Sequence, residues 1–233
     1  MGKKQGVDYS IYGRALLLLV KNPSIIALPL LAAVIDVLVH YIGAVTTDPL
    51  GGLGTSIFAF ISQIVYLFAF GGAIIQANNA ARGYKAGFDE AWEEAKRKAG
   101  GIIIAAVGFV FIGSLGPYVA QLIPIPNLGI ALELIAYFFL IFTIPAAAIG
   151  GLPGGLAISA SFQTVRANVV PALILAVAYA IVFFGLPQLA IMVGAGLSPF
   201  AYSLILALAN AIALAYLAFP FATTYDDIAF KRW

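Results

Sequence analysis

Two carboxylates and the chain's single histidine lie inside runs of hydrocarbon side chains. Asp36 and His40 fall in PSIIALPLLAAVIDVLVHYIGAV, and Glu133 falls in LGIALELIAYFFL. A carboxylate at the centre of a bilayer costs roughly 2.5–3.5 kcal/mol on insertion scales, so such a residue normally faces the interior of a helix bundle or a wet cavity. Asp36 and His40 are one helical turn apart and share a face. Pro29, Ala33 and Gly43 lie on the same stripe, where small or kinking residues suit close helix contact. Four amides add to this inventory. Gln63, Gln121 and Gln188 are expected at middle-to-outer depths, and Asn210 near the middle of its span beside Ser203, Ala207 and Ala213. Converging around water, these groups would relay protons, hold a cation or pair with a cationic substrate. The alternative is local: Asp36 and His40 satisfy each other, Glu133 reaches the outer head groups, and the amides bond across helices.

The elements that must carry them follow from composition. Of 233 residues, 63% are hydrophobic and 9% charged, against roughly 25% charged in soluble domains. Too little polar surface exists to cover such a chain in water, which makes it an integral membrane protein. A net charge of +2 gives no basic field for nucleic acid. The absence of cysteine excludes disulfides, thiolate metal sites and cysteine nucleophiles. MGKKQGVDYSIYGR lacks the pattern of a cleavable signal, and Gly6 stands where myristoylation wants Ser or Thr.

Hydropathy and turn residues predict an all-α fold of six transmembrane helices over 23–45, 57–77, 100–123, 128–149, 169–193 and 199–221. The fifth is expected to kink near Pro187, and TTYDDIAFKRW to follow the sixth as a polar tail. Interfacial amphipathic helices are expected over 9–20, 86–99 and 156–168. In the second of these, Phe88, Trp92, Ala95 and Ala99 would form the apolar face. Arg14, Lys21, Lys96, Arg97, Lys98 and Arg166 would meet lipid head groups. All 12 basic residues lie in the amino-terminal segment, the two longer connectors or the carboxy-terminal tail. The opposite loops near 46–56, 122–127 and 194–198 carry none, which predicts both termini in the cytoplasm of a multi-pass plasma-membrane protein. Each pair of spans is preceded by a similar connector: LLLVKNPSII, EAKRKAGGII and QTVRANVVPA. These read either as three parallel hairpin repeats or as the basic stop that charge topology demands of every inward-starting hairpin.

At these connectors, RALLLLVKNPSIIALPLL (14–31), FDEAWEEAKRKAGGIII (88–104) and SASFQTVRANVVPALIL (159–175), the chain resembles a broad set of prokaryotic six-span membrane proteins. These are similar to the membrane domain found beside glycerophosphodiester phosphodiesterases. The resemblance implies a six-span helical fold and a lipid-associated role. The soluble domain that does the chemistry in such fusions has no counterpart in these residues, so its activity is not implied.

No HExxH, Walker loop or GxSxG occurs, and GGLPGG (150–155) lacks the Lys-Ser/Thr of a phosphate loop and reads as a hinge. One imidazole with two carboxylates from distant spans is a poor metal set. Ser159 and Ser161 have no adjacent base. The expected role is therefore a non-enzymatic, cofactor-free, lipid-associated or accessory membrane component, partnered by lipids and by a second copy or a membrane complex. The alternatives are a small transporter or channel built on Asp36, His40 and Glu133, and, third, a lipid-directed intramembrane enzyme.

Overall fold

The computed structural model describes residues 6–45, 53–84, 87–123, 125–194 and 196–230; the side chains of 40–45 and 53–56 lie outside that description. The described residues are helical, with no strand. The helices are α1 (Ile11–Lys21), α2 (Ala27–Val45), α3 (Leu53–Ala81), α4 (Phe88–Arg97), α5 (Ala99–Leu122), α6 (Leu128–Leu140), α7 (Thr143–Ala148), α8 (Gly154–Ala167), α9 (Val169–Gly194) and α10 (Pro199–Ala229). Five stretches are long and apolar enough to cross a bilayer. A sixth forms if α1 and Pro23–Val39 are counted as one span, but these meet at 97°. The right angle arises at Lys21-Asn22-Pro23. The Asn22 side chain donates to the Leu18 carbonyl, and Pro23 opens the following 3-10 turn, Pro23–Ile26. A similar cap ends α8, where the Asn168 side chain donates to the Thr164 carbonyl.

The centre of the bundle is α10, which packs against α1, α2, α3 and α9; a second group joins α5, α6, α7 and α8, and α3 touches both. Small residues set these approaches. Ala33 of α2 meets Ala207 and Ala211 of α10. On α5, a Cβ at Gly116 would sit 2.7 Å from the Gly129 carbonyl and 2.9 Å from the Glu133 amide, so the α5–α6 seam tolerates no side chain there. By contrast α9 is nearly all on the outside, with 11% of its apolar window buried.

Three elements depart from the sequence reading. The stretch 128–149 is not one continuous helix but breaks between α6 and α7. Pro145 has no amide to bond the Ile141 carbonyl, and the buried Ser161 hydroxyl of α8 fills the gap. It accepts from the Phe142 amide at 3.0 Å and donates to the Phe139 carbonyl at 2.7 Å. The polar tail after Phe221 is instead a continuation of α10 to Ala229, and Tyr225, Asp226 and Asp227 are among its buried residues. On α4 the buried positions are Ala91 and Ala95. Phe88 is exposed, its ring stacked parallel to Trp92 at 6.4 Å. The methyl faces are what let α4 lie close to α3 at Gly72, whose absent Cβ would fall 3.8 Å from that of Ala95.

Replacing Ser161 by alanine should strand a buried amide and carbonyl at the α6–α7 break and lower stability by about 1–3 kcal/mol. Gly154→Leu should be worse, because even a Cβ there would lie 2.2 Å from the Ile104 side chain. Thermal melts in detergent with Ser161→Thr, which keeps the hydroxyl, as control would check both.

Candidate functional site

Asp36 lies on α2 one turn beyond the Ala33 contact, and the close approach of α2, α3 and α10 there brings four polar side chains together. The Ser62 hydroxyl of α3 donates to the Asp36 carboxylate. Tyr66, one turn further along α3, lies beside both Asp36 and Asn210 of α10. Ser62 is buried, and Asp36, Tyr66 and Asn210 are half-buried. The arrangement gives a carboxylate a hydroxyl donor within an apolar bundle, ties α2 to α3 by that bond, and gathers polar side chains of three helices. Of this set, Asp36 and Asn210 were predicted from their types and positions. Ser62 and Tyr66 were missed; their i, i+4 spacing on one face of α3 was the available signal. The side chain of His40 lies outside the described residues.

The other expected members sit elsewhere. Glu133 of α6 is half-buried and lies beside Tyr137 one turn on, whose ring stacks on Phe109 at 5.3 Å. Helix α6 packs on α5, α8 and α9, whereas α2 packs on α3 and α10. Gln63, Gln121 and Gln188 are exposed on the outer surface of the bundle. No group of three His, Cys, Asp or Glu side chains able to hold a metal occurs among the described residues.

A second polar region, unforeseen in the sequence, gathers at the end of the bundle where α1 starts and α3 and α10 finish. Asp227 accepts the Asp8 amide at 2.8 Å. Asp8 in turn accepts from the Ser10 amide and hydroxyl at 3.0 and 2.6 Å, opening α1, and pairs with Arg14. Arg82 at the end of α3 pairs with Asp226. Acids in the last turn of α10 oppose its macrodipole, and these donors offset that cost. Tyr216 donates to the Tyr12 carbonyl at 2.6 Å, fastening α1 to α10 again. Lys98 turns inward: its ammonium bonds Glu94 at 2.7 Å and the Ala148 carbonyl at 2.6 Å, tying α4 to the end of α7. That geometry replaces the head-group contact expected of it. Lys96 pairs with Glu93 at 2.5 Å, Arg14 is exposed beside Asp8, and Lys21, Arg97 and Arg166 are exposed. Beside the Arg82–Asp226 pair opens a cleft of about 430 Å³ between α3, α4 and the ends of α7 and α10.

A double-mutant cycle of Ser62→Ala and Asp36→Ala should return a coupling of about 0.6 kcal/mol, with roughly 1.7 as the ceiling seen for such bonds in membranes. Unfolding in mixed micelles measures it, and additive losses would mean the two groups do not interact. Family models, characterised proteins and solved structures alike return no match to this chain, so its function has to be argued from these residues.

Proposed function

We propose that this chain is a non-catalytic, six-span protein of the cell membrane that serves as a lipid-embedded accessory component, with both termini in the cytoplasm. The order of elements supports the topology: α1, α4 and α8 each precede a pair of long apolar segments. Arg14, Arg82 and Lys98 are bonded into a common end of the bundle with Asp8, Ala148 and Asp226. Basic residues kept at one end mark the cytoplasmic bank. The matched Asn22 and Asn168 caps favour three hairpin units over charge topology alone.

The observation that carries the functional reading is that polar groups of the spans lie in separate local sets. Asp36 is bonded by Ser62 between α2 and α3, whereas Glu133 lies beside Tyr137 on α6, in the other helix group. Meanwhile α9 offers an apolar side to lipid or to another protein. The connectors' resemblance to membrane domains beside glycerophosphodiester phosphodiesterases agrees with a lipid-associated role. A second reading, a small proton-coupled transporter, is favoured by the Asp36–Ser62–Tyr66–Asn210 set across three helices.

Single cysteines at Glu90 and Asn127, introduced into a chain with none of its own, should label from opposite sides of the membrane; labelling from one side refutes the topology. Native mass spectrometry after mild extraction should find stoichiometric lipid or a protein partner, and finding neither sinks the accessory role. Asp36→Asn should leave vesicle ion flux unchanged. Loss of a pH-dependent flux in a folded variant would move the assignment to transport.

A further inference from the structure

The cleft at the charged end has a defined chemical character. Ile75, Asn78, Asn79 and Arg82 follow one another at helical spacing on α3, so a single face runs from apolar to amide to cationic toward the end of the bundle. Glu94 of α4 faces this stripe, and Ile149 and Phe230 complete the walls. Its size falls within the ~300–1,000 Å³ of small-molecule sites. Arg82 is held by Asp226 but keeps a side-chain exposure of 49%. Glu94 is held by Lys98, at 29%. The formal charges of these two pairs cancel, so the cleft has no net sign to attract a simple ion. A lone anion meets Glu94, and a lone cation meets Arg82. A molecule carrying both charges a few bonds apart satisfies both, and the amides of Asn78 and Asn79 offer donors and acceptors between them.

We propose that this cleft binds a phosphoethanolamine group, its phosphate toward Arg82 and its ammonium toward Glu94. The position at the charged end of an apolar bundle favours a lipid as the carrier, with Ile75 and Ile149 beside the first carbons of the glycerol. A primary ammonium donates hydrogen bonds that a trimethylammonium lacks, so phosphatidylethanolamine is preferred over phosphatidylcholine. Phosphatidylglycerol leaves Glu94 without a cationic partner. The assignment rests on the membrane-embedded part of the reading above and needs neither a protein partner nor a transport path. Its failure would therefore leave partner capture and flux results as they stand.

The full-length protein, exchanged in mild detergent against equal amounts of the three lipids with matched chains, is read by native mass spectrometry. Retention of phosphatidylethanolamine should exceed that of each competitor about tenfold, the effect of one charge-assisted contact. Calorimetry with free O-phosphoethanolamine separates the sources: no heat assigns the site to the lipid, while saturable heat shows that the free group also enters it. Equal retention of all three lipids without such heat overturns the proposal, as does a preference for phosphatidylglycerol. Asn79→Leu removes no group of the Arg82–Asp226 or Lys98–Glu94 pairs, and Glu94→Gln gives up the Lys98–Glu94 ion pair but leaves the Ala148 carbonyl as the acceptor of Lys98. In protein of unchanged melting temperature each should reduce the preference toward parity, and an undiminished preference in both variants also overturns it. The competition on the unaltered protein decides the matter even where a variant fails to fold.

Discussion

Hydrocarbon supplies no hydrogen-bond partner, and the placement of polar groups in this bundle follows from that one constraint. Three breaks in the helices are met by a side chain from another segment or from the same turn. The Ser161 hydroxyl bridges the α6–α7 interruption, and Asn22 and Asn168 close the helices that precede sharp changes of direction. Asp36 shares a short polar seam with Ser62 instead of facing the apolar exterior. The buried amide of Gln76 donates to Ser24 at 3.2 Å, joining α3 to the turn that follows α1. These contacts allow irregular backbone within a chain whose mean hydropathy is +1.04.

Ion pairs do a different task at the charged end. Asp226 and Asp227 lie in the final turns of α10, where the helix dipole disfavours them, and are 8% and 5% exposed. Arg82 and the Asp8 amide meet one each. The N-terminal pole of α1 thus sits beside the C-terminal pole of α10, an arrangement in which opposite partial charges face one another. Removing either acid would leave a donor without its acceptor, so position here is set by mutual need. The same pairing leaves a cleft lined by both signs of charge, a surface that neither the spans nor the connectors would have formed alone.

Composition and the spacing of apolar runs made the all-helical class and the succession of helices long enough to cross a bilayer legible, because a span demands about 20 consecutive apolar residues. Small residues at 33 and 207 likewise signalled close helix contact. What stayed hidden depended on tertiary partners. TTYDDIAF reads as a tail because its polar side chains are unfavourable in lipid. Only Arg82 and Asp8, distant in sequence, make it a buried helix end. Glu133 and Asp36 look alike as lone carboxylates in apolar runs, yet they belong to different helix groups, Asp36 bonded by Ser62 and Glu133 beside Tyr137. Ser161 looked like a weak nucleophile with no base and is a backbone partner. The Ile75-Asn78-Asn79-Arg82 stripe was present as a pattern, but the wall opposite it comes from α4.

The central position of α10 has a consequence for assembly in the membrane. It is synthesised after every element it packs against, including α2 and α3, whose own contact is completed by its small residues. The groove between the earlier helices is therefore filled only once α10 emerges, together with α9, which packs along it. A ribosome stalled before residue 199 would leave the hairpins inserted, with Arg82 and the amino terminus lacking the aspartates that fasten them.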